Sequence, residues 1–423
     1  MKDILKTIDK VSAAFPKWSA KSAQERSKIL LKWNDLILAD KKRLAKIMHD
    51  ESAKLMPECL AEVDYAASFI SWYAKEALRE RNEKIDGGYI THQPIGPVAA
   101  ITPWNFPAAM ITRKVAPALA AGCTVLSKPS ELTPNTAIAL QKLGRKAGFG
   151  VGVFEIVVGD SKKIGKIITD SLKIKKLSFT GSTAVGAQLI AQCAPTIKKV
   201  TMELGGNAPF VIFADADLDA AVEAAVKSRF RFSGQTCICA NRFLVEADIY
   251  DKFIEKMQQK ISDMEIAPLI HEEATKKVEK LVKGAIKEGA KLIHGTDKAD
   301  GRYFAPTILA NVTAKMEIFS KEIFGPVVTV IKFKGAEQAI KLANDTEYGL
   351  AAYVYCGDAK TGEYVAKSIN AGMVGLNDIA INIPSAPFGG MNHSGIGREG
   401  SHFGIEEYFE IKFIATKTPI KIS

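Results

Sequence analysis

The chain has 423 residues, a length that accommodates two or three cooperating lobes rather than one small module. Its composition, 47% hydrophobic and 25% charged residues, is that of an ordinary globular protein and excludes disorder as the main interpretation. The net charge is +10, but lysines alternate with glutamates along helical faces, so we expect no nucleic-acid partner.

The sequence also indicates the cellular compartment in which the protein is expected. It contains no run of about 18 apolar residues, and residues 1–16 lack the continuous apolar core of a signal peptide. Its six cysteines form no Cys-x-x-Cys pair, which is typical of a reducing environment. We therefore expect a cytoplasmic protein that has no membrane partner.

The first 80 residues have helical periodicity. Apolar side chains recur at spacings of three and four from Ile29 to Ile37 and again from Tyr65 to Tyr73. From Ile85 to Pro97 the pattern becomes extended, and glycines and prolines interrupt it.

A regular alternation of strands and helices follows. The predicted strands are 97–102, 123–127, 153–158 and 174–179, and the predicted helices are 106–121, 134–147, 162–169 and 182–194. Such an alternation predicts an α/β fold with a parallel sheet covered by helices on both faces. Sheets of this kind bind ligands at the carboxyl ends of their strands.

A second α/β lobe is predicted after Glu203. It contains a helix from Leu218 to Phe230 that begins after a capping aspartate. The predicted strands of this lobe are 210–213, 243–245, 327–331, 352–355 and 373–376.

Two glycine-containing segments are candidates for phosphate binding. Residues 395–400 have the spacing G-x-G-x-x-G, but they follow no apolar strand and open no βαβ unit, so we interpret them as a loop. The segment from Phe179 to Gly186 lies between a strand and a helix, where backbone amides can bind a pyrophosphate. A plain glycine turn is the alternative interpretation of that segment.

Three polar groups suggest chemistry at a carbonyl. Cys237 lies in a loop between a helix and a strand, and a thiol there attacks as a thiolate if its neighbours lower its pKa. A single cysteine is more often a small buried apolar residue. However, Glu203 and Asn105 each follow a predicted strand and would supply a base and an oxyanion donor.

Six motifs occur in order along the chain: Thr102–Pro107, Lys128–Glu131, Phe179–Ser182, Glu203–Gly206, Gly234–Cys237 and Glu322–Pro326. Together they resemble the aldehyde dehydrogenase superfamily. Three further segments resemble its succinate-semialdehyde dehydrogenase branch, namely residues 228–242, 387–390 and 394–400.

The resemblance implies a Rossmann-like cofactor lobe, an α/β catalytic lobe and a small β oligomerisation arm. The cofactor lobe would comprise residues 1–82 and 97–204, and the catalytic lobe residues 205–400. The arm would comprise residues 83–96 and 408–420, and the protein would be a homo-dimer or homo-tetramer.

The resemblance also implies a mechanism. Cys237 would attack the aldehyde carbon, and the Asn105 amide with the Cys237 N–H would hold the oxyanion. After hydride transfer to nicotinamide, Glu203 would activate the water that hydrolyses the thioester. Cys239 is a second thiol close by, and the branch implies reversible pairing of two such cysteines.

By the same resemblance, the cofactor is NAD, with NADP possible, and no metal is needed. Lys128 and Glu131 would bind the adenosine ribose, and Glu131 would repel a 2′-phosphate unless Lys128 offsets it. The alternative is that Glu131 only caps or solvates the next helix. The implied cofactor-binding residues are Trp104, Lys128, Ser130, Glu131, Gly181, Ser182, Gly186, Leu204, Glu322 and Phe324.

The expected substrate is a small aldehyde that carries a carboxylate. Arg113 and Arg231 match the two arginines that bind succinate semialdehyde in this branch, while Asn382 stands where the branch has a serine. Replacing either arginine is expected to raise KM for the semialdehyde only. Glutarate semialdehyde, a neutral aliphatic aldehyde, and a degenerate nucleotide-binding homologue remain alternatives. The short N-terminal segment and the short stretch 261–268 depart from the family pattern.

Overall fold

Four helices precede the first strand of the protein, whose computed structural model describes residues 2–417. They are α1 (Lys2–Ser19), α2 (Ala23–Ala39), α3 (Lys41–Ser52) and α4 (Met56–Glu76). A capping box between Ser22 and Glu25 begins α2, and left-handed Ala53 ends α3. None of the helices in residues 2–417 is long and apolar enough to cross a membrane.

A three-stranded antiparallel sheet comes next in the chain and includes the last strand. Its strands are β1 (Glu83–Ile85), β2 (Gly88–Pro94) and β16 (Phe409–Ala415), in the order β1-β2-β16. Its register pairs Phe409 with Pro94 and Ala415 with Gly88. Residues 418–420 of the predicted arm lie outside the described residues.

The first α/β lobe contains a six-stranded sheet in the order β15-β7-β6-β3-β4-β5, parallel except for β15. Its elements are β3 (Val98–Ile101), α5 (Ala109–Ala121), β4 (Val125–Lys128), α6 (Pro134–Ala147), β5 (Phe154–Ile156), α7 (Ser161–Asp170), β6 (Lys176–Thr180), α8 (Thr183–Cys193), β7 (Lys199–Glu203) and β15 (Gly395–Ile396). Helices α1 to α4 pack against it, and Trp33, Phe149 and Phe154 meet at its core.

The second lobe contains a seven-stranded sheet in the order β10-β11-β12-β9-β8-β13-β14, parallel except for β10. Its strands are β8 (Ala208–Ile212), β9 (Ala240–Glu246), β10 (Lys291–His294), β11 (Thr307–Ala310), β12 (Val327–Phe333), β13 (Ala351–Tyr355) and β14 (Met373–Leu376). Its helices are α9 (Leu218–Phe230), α10 (Tyr250–Ile261), α11 (Glu272–Lys287), α12 (Glu317–Ser320), α13 (Gly335–Asn344) and α14 (Ala359–Ser368), and α15 (Ser401–Glu406) follows β15.

The predicted α/β fold class is confirmed, and most boundaries differ from prediction by only a few residues. Helices 134–147 and 218–230 are as predicted, whereas the helix predicted from residue 106 begins at Ala109. The carboxylate of Glu62 accepts the amides of Ala108 and Ala109, which fixes that start through a contact remote in sequence. Strands β10 and β11 were not predicted, because segments of four residues are too short to show a clear periodicity.

The segment 395–400 differs in part from its interpretation as a loop. Its first two residues form β15, which pairs antiparallel with Met202 and Glu203 at the edge of the six-stranded sheet. The following residues form no regular strand, and Gly397 and Gly400 have positive φ angles. Because no βαβ unit opens there, the segment is not a dinucleotide fingerprint.

Candidate active site

A cavity of about 310 Å³, named the main cavity below, lies where the two large sheets meet. Residues after the carboxyl ends of β3, β6 and β7 line one side, as expected for a parallel sheet. Residues before the amino ends of β9 and β12 line the other side. The first lobe therefore contributes strand ends to the cavity, and the second contributes the segments that enter its strands.

Cys237 lies at the inner end of this cavity, on a turn with unusual backbone geometry. Phe232 and Ser233 have φ angles of 45° and 55°, in the left-handed region, and Gly234 has φ 77°. A Cβ atom on Gly234 would lie 2.5 Å from the carbonyl oxygen of Gly325, so only glycine allows this close approach. The turn thus holds the thiol in a fixed place before β9.

The thiol of Cys237 is not activated by the chain's own residues. Burial raises its pKa to about 12, with Arg113 opposing and Glu322 and Glu203 adding to the effect. Arg113 lowers this pKa, as expected of a positive neighbour, but burial outweighs its effect. At neutral pH the group is a neutral thiol.

Asn105 follows β3 and lies against the nucleophile turn. Its Nδ2 donates to the carbonyl oxygen of Gln235 at 2.9 Å, and its side chain is buried. An amide has two N–H donors, so one remains for a ligand oxygen. Asn105 and Cys237 both line the main cavity, which brings the predicted donor and nucleophile together.

Glu203, the predicted base, is placed differently. It ends β7, is 1% exposed, and lines neither the main cavity nor the smaller pocket beyond Cys237. Neither of its carboxyl oxygens has a hydrogen-bond partner among the described residues. Burial and the nearby Glu399 raise its pKa well above the usual range, which favours the protonated form of this carboxyl.

A buried charge cluster beside Glu203 was not predicted from the sequence. Arg113 Nε lies 2.7 Å from a carboxylate oxygen of Glu399, and Lys114 Nζ donates to the other oxygen of Glu399. Although burial opposes ionisation, these two cations hold the pKa of Glu399 below its usual range. Glu399 belongs to the G-x-G-x-x-G segment, so the segment contributes a charge here rather than a phosphate site.

The main cavity fits a nicotinamide dinucleotide. Helix α8 begins beside it after Ser182, which makes no side-chain capping bond, so the first amides of the helix are open to an anion. The buried hydroxyl of Thr180 has no partner among the described residues and lies in the cavity wall. Of the predicted cofactor-binding residues, those that line the cavity are Trp104, Gly181, Ser182, Leu204, Glu322 and Phe324.

Glu322 and Phe324 lie opposite α8. Glu322 Oε1 accepts the Gly206 amide at 3.1 Å, and burial raises the pKa of its carboxyl. The ring of Phe324 packs edge-on against Trp104 at 5.8 Å. Gly186 is not in the cavity wall; a Cβ there would lie 2.3 Å from Leu204, so this glycine lets α8 approach β7.

Lys128, Ser130 and Glu131 lie outside the cavity lining and form their own small network. Lys128 Nζ lies 2.8 Å from Glu131, and Ser161 Oγ donates to Glu131 at 2.6 Å. Partial burial opposes ionisation, but these two hydrogen bonds hold the pKa of Glu131 below its usual range. Ser130 Oγ accepts the Leu132 amide, which is a local turn contact.

A narrow pocket of about 20 Å³ continues beyond Cys237. Arg113, Arg231 and Asn382 all line it, so the three predicted substrate residues do meet at the thiol. Its other lining residues are Tyr65, Phe106, Met110, Thr236, Ile238 and Phe388. Tyr65 was missed, since its hydroxyl reaches the pocket from the apolar stripe of α4 and no local motif marks it.

The two arginines differ in their surroundings. Arg113 is 1% exposed, ion-paired with Glu399, and has Nη1 3.5 Å from the Tyr65 hydroxyl. Arg231 forms no ion pair with a carboxylate among residues 2–417, and its guanidinium lies over the Phe106 ring at 4.7 Å. Arg231 is therefore the pocket cation whose charge is not already compensated.

Cys239 does not share the environment of Cys237. It is buried, receives a contact from Arg229 Nη1 at 3.2 Å, and donates to the Arg229 carbonyl. All cysteines in the described chain are free thiols.

Comparison with known proteins agrees with this geometry. A model of the aldehyde dehydrogenase family matches residues 1–414. The chain is 47% identical to a succinate-semialdehyde dehydrogenase [NADP(+)] of Escherichia coli (strain K12) over 96% of this chain and 88% of the relative. It is 45% identical to a glutarate-semialdehyde dehydrogenase of Pseudomonas putida over 97% and 88% of the two chains.

The fold comparison gives the same family. The crystal structure of a succinate-semialdehyde dehydrogenase from Burkholderia pseudomallei superimposes with a TM-score of 0.96 at 46% identity. The match covers 98% of this chain and 90% of that chain.

Proposed function

The chain belongs to the aldehyde dehydrogenase family, and from this premise we propose that it oxidises succinate semialdehyde to succinate with NAD. The observation that carries the proposal is the pocket beyond Cys237, where two guanidinium groups face the space next to the thiol. A short substrate with an aldehyde at one end and a carboxylate at the other fits this arrangement.

Arg231 is the principal carboxylate ligand in this proposal. Its charge has no carboxylate partner among the described residues, so a substrate carboxylate would supply the missing one. The Tyr65 hydroxyl and the Asn382 amide line the same pocket and can donate further hydrogen bonds. Apolar walls from Phe106 and Phe388 lower the local dielectric, which strengthens these contacts.

The chain's own groups perform the covalent steps. Because the Cys237 thiol is protonated, it first gives its proton to a water molecule. The resulting thiolate bonds to the aldehyde carbon as the C=O π bond breaks, and the carbonyl oxygen becomes an oxyanion that the free N–H of Asn105 and the Cys237 backbone N–H stabilise. The nicotinamide ring, when bound, accepts the hydride. Collapse of the tetrahedral adduct leaves an acyl thioester on Cys237.

Hydrolysis of the thioester requires a base, which we assign to Glu203. Arg113 and Lys114 favour the ionised form of Glu399, whereas burial and the nearby Glu399 favour the form of Glu203 that holds a proton. Glu203 must lose that proton before it can accept one from water, and its side chain must turn toward the thioester. Deacylation is therefore expected to accelerate as the pH rises.

The proposed cofactor preference is NAD over NADP. Trp104, Ser182, Leu204 and Glu322 would hold the nucleotide along the main cavity. Glu131 is fixed by Lys128 and Ser161, so its negative charge stays where the adenosine ribose is expected and disfavours a 2′-phosphate.

The proposed domain organisation has three parts. Residues 1–82 and 97–204 would bind the cofactor, residues 205–400 would carry catalysis, and residues 83–96 with 408–420 would form an oligomerisation arm. Ile411 and Phe413 on β16 are 70% and 53% exposed, which supports burial of this sheet in a homo-dimer or homo-tetramer. A cytoplasmic location is proposed as well.

The test is a spectrophotometric assay of NADH and NADPH formation with four aldehydes. The kcat/KM for succinate semialdehyde should exceed that for propanal by about tenfold or more. A charge-assisted hydrogen bond between a guanidinium and the substrate carboxylate can supply the free energy for this difference. Higher efficiency with glutarate semialdehyde would assign the longer substrate. Equal efficiencies with succinate semialdehyde, propanal and acetaldehyde would contradict the substrate proposal, and no activity with any of the four would favour a degenerate homologue.

A further inference from the structure

We propose that Lys54, Glu58 and Glu62 are positioning residues that fix the Asn105 loop against the Cys237 turn. The three residues lie at and just before the start of α4, far in sequence from both segments. They are named below as the α4 clamp. The inference rests on the roles proposed for Asn105 and Cys237, and concerns how those groups are held.

Lys54 contacts the Asn105 loop directly. It is 1% exposed, and its Nζ donates to the backbone carbonyl of Asn105 at 2.6 Å. The same ammonium lies 2.5 Å from Glu62 Oε2, which compensates its charge. A buried ammonium bound to a carbonyl oxygen leaves that peptide little freedom to rotate.

Glu62 holds the other end of the same loop. Its Oε1 accepts the amides of Ala108 and Ala109 at 2.9 and 3.3 Å, at the start of α5. Lys54 and Glu62 together therefore fix the backbone on both sides of Phe106 and Pro107. The side chain of Asn105 projects from this fixed segment toward Gln235.

Glu58 reaches the nucleophile turn from the same helix. Its Oε1 accepts the Phe232 amide at 2.6 Å, at the first of the two left-handed residues before Gly234. Such a backbone persists only where its surroundings hold it. The Glu58 contact is one such restraint, five residues before the thiol.

The ammonium of Lys54 also joins the two segments through aromatic rings. It lies 4.0 Å from the Phe106 ring centroid and 4.4 Å from that of Phe232, and the two rings pack edge-on against each other. One residue thus contacts the oxyanion loop, a ring on that loop and a ring on the nucleophile turn. The distance between the Asn105 donor and Cys237 is set by this arrangement.

Lys54→Met tests the clamp, because it keeps the length of the side chain and removes the ammonium. We expect kcat with succinate semialdehyde and NAD to fall about 10- to 100-fold, because a small displacement of an oxyanion donor has a large effect on rate. NAD affinity, measured by protein fluorescence, should stay within about twofold, since Lys54 is not in the cavity wall.

A double-mutant cycle with Asn105→Ala separates positioning from a general structural role. If Lys54 acts through Asn105, Lys54→Met should lower kcat by less than about twofold in the Asn105→Ala background. A full loss in that background would overturn the proposal. If Asn105→Ala alone keeps the kcat of the unmodified enzyme, the oxyanion role proposed for Asn105 is wrong. If Lys54→Met alone keeps that kcat, the positioning role of Lys54 is wrong.

Lys198→Met is the matched control. Lys198 is also a buried lysine that donates to backbone carbonyls, those of Ser171 and Ile174, but it lies away from both cavities. Its kcat should equal that of the unmodified enzyme. If Lys54→Met does not fold, Glu62→Gln replaces it in the double-mutant cycle with Asn105→Ala. Glu62→Gln keeps an acceptor for the Ala108 amide and removes the negative charge that faces Lys54. Its effect on kcat should also fall below about twofold in the Asn105→Ala background. An unchanged kcat in Glu62→Gln would then contradict the clamp.

Discussion

The main cavity and the narrow pocket beyond Cys237 are built in different ways. The main cavity, about 310 Å³, is lined largely by short segments that lie next to the ends of strands. The pocket, about 20 Å³, is lined by side chains from α4, α5, the turn before β9 and the loop after β14. Cys237, Phe106 and Met110 line both, so the thiol stands at their junction.

The difference shows which interactions each region depends on. The main cavity offers backbone amides at the start of α8, which no side-chain replacement removes, so single replacements should change its phosphate-binding end little. The pocket holds two guanidinium groups in a small space, and the surroundings of each charge depend on its partners. Replacements there should therefore have large and unequal effects.

The largest effect is expected at the junction. Cys237→Ala should lower kcat by at least about 1000-fold, since no other described thiol lines either cavity. NAD binding should persist, measured by quenching of protein fluorescence. Cys239→Ala serves as control and should retain activity, because Cys239 contacts Arg229 outside the cavities. Activity in Cys237→Ala with loss in Cys239→Ala would reverse the assignment of the nucleophile.

Arg113→Met should damage the pocket for every substrate. It removes one of two cations from Glu399, which leaves a buried carboxylate with Lys114 alone. We expect a loss of about 2 kcal/mol in the free energy of unfolding, measured with urea, below the full cost of an unpaired buried charge. The kcat/KM should fall about 100-fold for both succinate semialdehyde and propanal, which corresponds to an increase of about 2.7 kcal/mol in the activation free energy. A selective loss for the charged aldehyde would show that Arg113 acts only as a ligand.

The thiol at the junction should respond strongly to pH. Burial raises the pKa of Cys237 to about 12, so the thiolate fraction is small at neutral pH and grows with each unit of pH below that value. Inactivation by iodoacetamide without NAD should accelerate about tenfold per unit between pH 8 and 10. A cysteine in a short, uncharged model peptide, as a control thiol, should level off above its pKa of about 8.5. A plateau for the protein below pH 8 would contradict the raised pKa.

Arg231→Met should affect only the charged aldehyde. Its guanidinium has no carboxylate partner in the described chain, so its removal leaves no protein charge uncompensated. KM for succinate semialdehyde should rise about tenfold, which corresponds to about 1.4 kcal/mol of binding free energy. The kcat and KM for propanal should change less than twofold. The sequence alone predicted this behaviour for both arginines. An equal loss for both aldehydes would place Arg231 in the catalytic machinery instead.

The smallest effect is expected at Glu131, which lies outside the lining of the main cavity. Glu131→Ser should raise the ratio of kcat/KM with NADP to kcat/KM with NAD about fivefold. The substitution removes a carboxylate whose lowered pKa favours the negatively charged form. The moderate size follows from the 43% exposure of the carboxylate, where solvent screens the charge. Ser130→Ala is the control, since Ser130 contacts only a local amide. A better NADP efficiency in the unmodified protein would contradict the proposed preference.

The sequence by itself determined the α/β alternation and most of the main cavity. Strand ends carry short motifs, and a parallel sheet brings those ends to one edge, so Trp104, Ser182 and Leu204 could be placed together from local pattern. Asn105 was found for the same reason, whereas Cys237, which precedes β9, was found as a thiol in a loop between a helix and a strand. Lys128 and Glu131 were assigned to the cofactor by resemblance, and the structure places them outside the cavity wall.

Only the tertiary structure decided the charges around the thiol. Arg113 meets Glu399 across 286 positions of the chain, and Lys54 meets Asn105 across 51, separations that helical or strand periodicity cannot report. Burial then shifted the pKa values: it raised those of Glu203 and Cys237, while Arg113 and Lys114 lowered that of Glu399. A pKa depends on desolvation and on neighbours in space, and neither is encoded in the residue types next to a group along the chain.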